Sequence, residues 1–429
     1  MVSAQSKKTM NGVDQSKVRS GLVAAIDLGT TKACCLIARP KDEAGFEIVG
    51  IGHQISHGIR AGSIIDMEQT EATIRSTVEA AEQMAGENIS NVIVNVSCGE
   101  PLSKLIAYEV SIAGHEIGDH DLRRLLDPAG LTRDEKNERE LIHLIPVGYS
   151  IDGNKGSRDP RGLYGERLGV NMHIVSAATG PLRNLEQAVS RCHLDMCGKV
   201  VTPYASALAC VTDDEKNLGV TCIDMGGGTT SISVFFDDEL IHIDSVPVGG
   251  VHVTNDIARG LSTPLVHAER MKTLYGSAIP TPSDDHEIIK VPLIGEEETG
   301  ETNQVPRSVL VGIIRPRIEE TFEMVLNRLT ETGFDKVAGR RIVLTGGASQ
   351  LPGVRELAGS ILDKQVRFGR PVSVPGLAES VSGPAFSTSA GLLHFAFNNP
   401  AEEAKSAYRP MEEPSGRFAR LGQWFRENF

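Results

Sequence analysis

Two short stretches of the chain place the same polar residue types between apolar runs typical of buried strands. The first, AAIDLGTTKACCLIA, contains Asp27, Gly29, Thr30, Thr31 and Lys32. An ordinary two-residue hairpin is served by Asn-Gly or Asp-Gly and needs neither two threonines nor a lysine. Backbone N–H groups at a glycine turn can bind phosphate oxygens, and lysine adds a positive charge for the same anion. The stretch therefore predicts a turn that binds phosphate, although an unliganded tight hairpin remains the alternative for one turn alone.

The second stretch, VTCIDMGGGTTSISVFF, repeats the order of apolar strand, aspartate, glycine, two threonines and apolar strand. Its candidate phosphate-binding residues are Gly226, Gly227, Gly228, Thr229 and Thr230. Asp27 and Asp224 head the two copies; carboxylates repel bare phosphate, so we expect them to hold Mg²⁺ through its water shell. A repeat spaced by about 200 residues is too long for a solenoid and indicates a duplicated domain. Two such turns on one nucleotide imply a cleft between two lobes.

The elements that must position these turns alternate between strands and helices. Strands are predicted at 22–26, at 33–38 and over FEIVGIGHQIS, followed by a helix that either Asp66 or Glu68 can open and that stops at Gly86. A third glycine turn, IVLTGGASQLPGV, follows an apolar strand and precedes a helix. This alternation predicts α/β layers. Between Cys98 and Ser176 the pattern changes to the clean alternation of SKLIAYEVSI, which predicts a small α+β insert with an antiparallel strand.

Composition excludes several classes of protein. The 429 residues carry a net charge of −13, which argues against a surface that coats nucleic acid. No apolar run approaches the ~20 residues of a membrane-spanning helix, and residues 1–20 lack the apolar core of a signal peptide. We therefore expect a cytoplasmic chain with a disordered N-terminal tail. The seven cysteines are scattered, and the group RCHLDMC lacks the second ligand pair of a zinc site, so reduced thiols are favoured over a metal.

The C-terminal segment has a pattern typical of an interfacial helix. Residues 399–415 are polar and contain three prolines, which predicts a flexible linker. The final stretch 416–429, GRFARLGQWFRENF, places its large apolar residues on one helical stripe and arginines beside it. The apolar residues are Phe418, Leu421, Trp424, Phe425 and Phe429, and the arginines are Arg417, Arg420 and Arg426. We expect a helix that lies on the membrane surface, with packing on its own domain as the alternative.

Together these motifs resemble the phosphate-1, phosphate-2 and adenosine motifs of the actin/Hsp70/sugar-kinase superfamily. The insert, the absence of a large domain after the second lobe and the terminal helix resemble the FtsA family within it. The resemblance implies a duplicated RNase H-like fold, two lobes around a cleft for ATP and Mg²⁺, and a 1C insert subdomain. It further implies that Gly346, Gly347 and Ala348 line the adenine side. In AERMKTLYG, Glu269 and Lys272 would face the ribose and base.

The resemblance also implies a division into subdomains. Subdomain 1A would comprise 21–97, 177–205 and 380–398; subdomain 1C, 98–176; subdomain 2A, 206–250 and 322–379; and subdomain 2B, 251–321. Many superfamily members carry a Glu or Gln that orients the attacking water, where this chain has Thr202 in VVTPYASA. A threonine hydroxyl can hold water but cannot act as a base near neutral pH. We therefore expect firm ATP binding with weak hydrolysis.

The partners expected from the resemblance are those of a division protein. They are the C-terminal tail of FtsZ, further copies of this chain in filaments, lipids on the cytoplasmic face of the inner membrane at the division site, and later division proteins. Subdomain 2B would receive the FtsZ tail, with Arg307 and Arg317 as candidate contacts or, alternatively, as ordinary solvated charges. Two other functions remain open: an MreB-like membrane-bound filament, and a small-molecule kinase, which would need a catalytic aspartate for its acceptor.

Overall fold

Two five-stranded sheets of the same strand order form the centres of two lobes. The computed structural model describes residues 21–41, 45–126, 138–295, 302–372 and 374–398. In the first lobe the sheet order is β3-β2-β1-β6-β11, with strands β1 (Val23–Leu28), β2 (Lys32–Lys41), β3 (Gly45–Ile55), β6 (Asn91–Val96) and β11 (Asp195–Val201). In the second lobe it is β14-β13-β12-β17-β18, with strands β12 (Val220–Met225), β13 (Thr230–Phe236), β14 (Glu239–Val246), β17 (Arg341–Thr345) and β18 (Gln365–Phe368).

The two sheets also match in strand direction. Each has three antiparallel strands, β1 to β3 or β12 to β14, followed by two parallel strands. The duplication predicted from the two aspartate-glycine turns is therefore confirmed as a duplication of topology. Strand β1 runs two residues beyond the predicted end at Ile26, so Asp27 is held in the strand ladder opposite Cys34.

Helices cover the sheets, and their local sequence explains where they begin and end. Helix α1 (Met67–Ala85) starts at Asp66, whose carboxylate accepts the Gln69 N–H at 3.0 Å, and ends at Gly86 with a left-handed φ of 72°. Both limits agree with the prediction. The other helices that the structure describes outside the insert are α3 (Thr179–Arg191), α4 (Thr202–Cys210), α5 (Asp213–Leu218), α6 (Gly250–Leu261), α7 (Leu265–Tyr275), α8 (Arg307–Thr332), α9 (Phe334–Val337), α10 (Val354–Leu362) and α11 (Ser387–Asn398). Short 3-10 turns lie at Gly347–Gln350, Glu379–Val381 and Pro384–Phe386.

The insert is a separate four-stranded antiparallel sheet of order β7-β10-β8-β9. Its elements are β7 (Leu102–Ser111), α2 (Asp119–Leu125), β8 (Arg139–Ile151), β9 (Asn154–Ser157) and β10 (Arg167–Ala178). Its small core includes Val110 and Ile112, which the alternation of SKLIAYEVSI placed on the buried face. The predicted α+β insert is confirmed. Two short hairpins complete the strands: β4 (Ile59–Arg60) with β5 (Ser63–Ile64), and β15 (Ile288–Pro292) with β16 (Thr302–Pro306).

Helices α4 and α11 lie side by side between the two lobes. Helix α11 packs on β1, β2 and β6 of the first sheet, and α4 packs on β12 and β13 of the second. Their backbones approach so closely that a Cβ at Gly391 would lie 1.7 Å from the carbonyl oxygen of Ala205. The two lobes are thus joined through a helix pair in which only glycine fits at the crossing.

Several expectations concern other parts of the chain or stay predictions. The predicted tail 1–20, linker 399–415 and amphipathic helix 416–429 lie outside the described residues. The subdomain limits stay a prediction; the insert strand β10 runs to Ala178, two residues past the predicted end of subdomain 1C at 176. Among the described residues, no helix is both long and apolar enough to cross a bilayer.

Candidate functional site

The two aspartate-glycine turns face each other across a cleft between the lobes. Each is a four-residue turn closed by one backbone bond, from the Gly29 N–H to the Lys32 carbonyl and from the Gly226 N–H to the Thr229 carbonyl, both at 2.9 Å. A Cβ at Gly228 would lie 2.5 Å from Thr30 Oγ1. Because Gly228 has no Cβ, the backbone of the second turn can approach the first turn directly. The lack of a side chain likewise lets a glycine turn approach a bound ligand closely.

A buried carboxylate stands behind each turn. Asp27 is 6% exposed, and burial raises its pKa, while nearby Lys32, with Nζ 3.7 Å from Oδ2, acts in the opposite direction. Asp224 is 7% exposed; burial raises its pKa, and the negative charge of Asp27 raises it further. Asp27 and Asp224 thus place carboxylate oxygens from both lobes beside the cleft. Oxygen ligands of this kind fit a divalent cation such as Mg²⁺.

Hydroxyl groups from the two central helices hold both carboxylates. Ser389 donates to Asp27 Oδ2 at 3.0 Å. Ser206 donates to Asp224 Oδ2, and Thr388 donates to the same oxygen at 3.2 Å. The aspartates are thus oriented by α4 and α11 as well as by their own strands.

Lys32 is fixed at the rim of the cleft by the turn that precedes α11. Its ammonium group donates to the Ala385 carbonyl and lies 3.8 Å from the centroid of the Phe386 ring. A cation over an aromatic face is stabilised by the ring quadrupole. The turn Pro384–Phe386 therefore places one positive charge next to Thr30 and Thr31.

Thr202 begins α4 and lies in a network of neutral groups. Its hydroxyl is 2.6 Å from Ser97 Oγ and accepts the Asn95 amide N–H at 3.2 Å. The Asn95 side chain in turn accepts the Leu28 N–H at 2.7 Å. Among the described residues that line the cleft, the only carboxylates are Asp27 and Asp224. Thr202 thus has no acidic neighbour of its own in this network.

The third glycine turn closes the cleft beside Asp224. Gly346 has a left-handed φ of 89°, and a Cβ there would lie 2.2 Å from Asp224 Oδ1. Gly346 and Gly347 line the same cleft as the two aspartate-glycine turns. The structure therefore brings all three predicted glycine turns together.

The residues predicted for the nucleoside side form a second group next to the second turn. Lys272 Nζ donates to the Gly250 carbonyl at 3.1 Å and to Glu269 Oε2 at 2.7 Å. Gly250 is bonded to the Gly226 carbonyl at 2.9 Å, and a Cβ at Gly250 would lie 3.2 Å from that of Ala348. Glu269, Lys272 and Ala348 thus share one region, in which the two charged side chains are paired with each other.

One predicted residue of the second turn, Thr230, has its hydroxyl bonded away from the cleft, and sequence reasoning missed several polar side chains. The Thr230 hydroxyl is buried and donates to the Val248 carbonyl at 2.8 Å, so it is not available to a phosphate group. The missed polar residues at the cleft are Asn95, Ser97, Ser206, Thr388 and Ser389. The run Ser387–Ser389, three hydroxyls at the start of an otherwise apolar helix, is the signal that could have revealed two of them.

The two arginines predicted to bind a partner are engaged within the chain. Arg307 pairs with the buried Asp284 at 2.6 Å, and Arg317 pairs with Asp256 at 2.5 Å. An acidic peptide would have to compete with these carboxylates. The role of these arginines in binding stays a prediction, and residues 416–429, predicted to contact the membrane, lie outside the described part of the chain.

Comparison with known proteins decides the family. The chain is 44% identical over 427 residues to the cell division protein FtsA of Agrobacterium fabrum, with 96% of each chain covered. The chain belongs to the FtsA family. It is also 34% identical to FtsA of Pseudomonas aeruginosa, covering 96% of this chain and 100% of the relative. The family profiles for cell division protein FtsA and for the SHS2 domain inserted in FtsA match residues 221–391 and 102–176, respectively.

Solved structures confirm the fold class. The chain matches a chain of the PilM–PilN type IV pilus biogenesis complex with a TM-score of 0.59 and 16% identity, covering 86% of this chain and 97% of the other. It matches MreB5 of Spiroplasma citri bound to ADP with a TM-score of 0.52 and 12% identity, covering 87% and 95%. The FtsA-family chain therefore has the actin-like α/β fold with an insert.

Proposed function

We propose that this FtsA-family chain binds ATP with Mg²⁺ between its lobes and links FtsZ filaments to the cytoplasmic membrane during division. The observation that carries the nucleotide part is the pair of facing glycine turns, each backed by a buried aspartate. The FtsA relatives, which match along almost the whole chain, support the division part.

Each predicted residue of the cleft has a role in this proposal. Backbone N–H groups of Thr30 and Thr31 in the first turn and of Gly227 to Thr229 in the second bind phosphate oxygens, and Lys32 supplies a positive charge. The N–H groups of Gly29 and Gly226 close the two turns instead. Asp27 and Asp224 hold Mg²⁺ through its water shell, and the ion neutralises charge on the phosphates. Gly346, Gly347 and Ala348, with Glu269 and Lys272, face the nucleoside.

Hydrolysis is expected to be slow. The polar groups near Thr202 are the neutral side chains of Ser97 and Asn95, which can hold a water but cannot accept its proton near neutral pH. The absence of a positioned base typically costs about 10² to 10⁴ in rate. ATP therefore acts mainly as a bound ligand that sets the state of the protein.

The family resemblance is the basis for the proposed membrane contact and for the proposed binding of FtsZ. Residues 416–429 would insert Phe418, Leu421, Trp424 and Phe425 at the headgroup boundary. One such helix binds weakly, whereas several copies in a filament bind strongly through effective concentration. Polymerisation would then control attachment.

Three measurements test this function on the full chain. Calorimetry with ATP and Mg²⁺ is expected to give one site per chain. Co-sedimentation with anionic liposomes is expected, and removal of residues 416–429 should abolish it without changing ATP affinity. This chain should pellet together with filaments of full-length FtsZ, but not with filaments of FtsZ that lacks its C-terminal tail. The proposal would be contradicted if the full chain did not bind ATP. It would also be contradicted if the chain without residues 416–429 co-sedimented with liposomes as well as the full chain does.

The small-molecule kinase is the alternative from another functional class. Such an enzyme needs a carboxylate free to accept the proton of its acceptor, whereas both cleft aspartates are hydrogen-bonded by Ser206, Thr388 or Ser389. An MreB-like filament shares the fold and is separated from the proposal by the FtsZ pelleting assay.

A further inference from the structure

Three consecutive hydroxyl residues at the start of α11 contact the ends of three different strands. Ser387 bonds Thr345 at the end of β17 at 2.7 Å, Thr388 bonds Asp224 near the end of β12, and Ser389 bonds Asp27 near the end of β1. All three hydroxyl residues are buried, with at most 7% exposure. Each of the three strands leads into one of the glycine turns that form the cleft.

Two of these bonds end on the cleft carboxylates, one in each lobe. Helix α11 packs on the first sheet, so the bond from Ser389 to Asp27 lies within the first lobe. The bond from Thr388 to Asp224 crosses to the second lobe, where Ser206 of α4 reaches the same oxygen. Ser206 and Thr388 are also bonded to each other at 2.9 Å. The two lobes are therefore joined by hydrogen bonds at the candidate metal-binding atoms.

We propose that Thr388 and Ser389 are positioning residues that set the two aspartates, one from each lobe, at the geometry needed for a shared divalent cation. The inference rests on the proposed binding of ATP with Mg²⁺. Adjacent residues on one helix fix the relative position of the two carboxylates more tightly than two separate elements would. Helix α11 packs on the first lobe and is bonded to the second lobe through the Thr388 hydroxyl. It therefore fixes the position of Asp224 relative to Asp27.

Matched variants separate positioning from general packing. Thr388→Val removes one hydroxyl with almost no change in volume, and Ser389→Ala removes the other. Thr388→Ser keeps the hydroxyl. Ser387→Ala is the control, because the Ser387 hydroxyl contacts Thr345 and the Pro384 carbonyl and neither aspartate.

The main measurement is the ratio of ATP affinity with Mg²⁺ to ATP affinity with EDTA, for each full-length variant. Thr388→Val and Ser389→Ala are expected to lower this ratio about tenfold, since each loses a hydrogen bond to a charged group. Thr388→Ser and Ser387→Ala are expected to keep the wild-type ratio. Equal ratios in wild type, Thr388→Val and Ser389→Ala would overturn the inference, as would an equal loss in Ser387→Ala.

A second readout needs no ligand. Backbone hydrogen exchange of the apo protein is expected to rise at 384–391 and at the end of β12 in Thr388→Val, and to stay unchanged in the insert sheet. Unchanged exchange at both sites would contradict the bridging role of Thr388. If Thr388→Val does not fold, Ser389→Ala with Thr388→Ser as reference decides the outcome. A wild-type chain that binds no ATP would overturn the proposed function as well, whereas normal wild-type binding with unaltered variants overturns this inference alone.

Discussion

Thr202 stands where the superfamily resemblance places a Glu or Gln, and its surroundings are ready to hold such a side chain. The hydroxyl of Ser97 and the amide of Asn95 both lie within hydrogen-bonding distance of Thr202 Oγ1. Both groups can donate to a carboxylate. A longer acidic side chain at this position would therefore find partners already in place.

Replacing Thr202 with Glu is expected to increase ATP hydrolysis at least tenfold. The carboxylate would orient a water and accept its proton, which restores part of the typical 10² to 10⁴ contribution of a positioned base. Phosphate release under saturating Mg²⁺ and ATP measures the change. Thr202→Ser is the control and should leave the rate unchanged; an equal rise in that variant, or none in Thr202→Glu, would show that the base is not what limits hydrolysis.

The residues that sequence reasoning identified at the site were those with a recognisable local order. Asp27, Lys32 and Asp224 lie at the ends of strands that flank the glycine turns, and their order along the chain repeats in a recognisable motif. Ser206, Thr388 and Ser389 were missed because their partners are distant in sequence. A serine or threonine in a helix gives no sign of which carboxylate it will reach.

At the scale of elements, the pair α4 and α11 connects the lobes through direct backbone contact. The first strands, helix α1 and the insert followed from periodicity and turn residues, whereas this crossing did not. Gly391 lies in the helix sequence STSAGLLHFAF, where a glycine predicts a weak helix position and not a contact. The requirement for glycine comes from Ala205, which precedes it by nearly half the chain.

Gly391→Ala is expected to destabilise the protein by about 3 kcal/mol, because a methyl group 1.7 Å from the Ala205 carbonyl oxygen forces the helices apart. Thermal unfolding followed by circular dichroism measures the loss. Gly312→Ala is the matched control: Gly312 lies within α8, where a Cβ meets nothing within 4 Å, so we expect a gain of about 0.5 to 1 kcal/mol. Similar stabilities for the two variants would mean that the helix crossing is not rigid.

At the scale of the whole molecule, the insert contacts both lobes through buried polar groups. The Val201 N–H of the first lobe donates to His143 Nε2 at 3.0 Å, and the Ile243 N–H of the second lobe donates to Ser103 Oγ at 3.2 Å. Ser103 also lies 2.6 Å from His173 Nε2. Any rotation of one lobe relative to the other must therefore disturb the insert.

Acid is expected to loosen this junction. Burial, with the nearby His242 and His143, lowers the pKa of His173 to about 3, and burial lowers that of His242 to about 4. In the unfolded chain the two histidines have their ordinary pKa of about 6.5, so below that pH the unfolded chain binds more protons than the native chain. The free energy of unfolding therefore falls as the pH drops. Each histidine is expected to cost about 2 kcal/mol between pH 7 and pH 5.

Urea unfolding at both pH values tests this expectation. On acidification, His242→Gln should lose clearly less free energy of unfolding than wild type. The variant starts from a lower stability at pH 7, because it lacks the imidazole ring that stacks on Phe334. Substitution of the exposed His120 by Gln is the control and should behave as wild type. The same acid-induced loss in wild type and His242→Gln would assign the acid sensitivity to other groups.

The matching strand order of the two sheets has a consequence for how a ligand sits in the cleft. Two lobes with the same strand order offer two similar orientations for an elongated molecule between them, and the strand order by itself favours neither. Lys32 closes the first turn at the position where Thr229 closes the second, so only one half carries a cation there. This difference between the two turns gives the cleft a polarity, because an anionic group is attracted more strongly to the turn that carries the lysine.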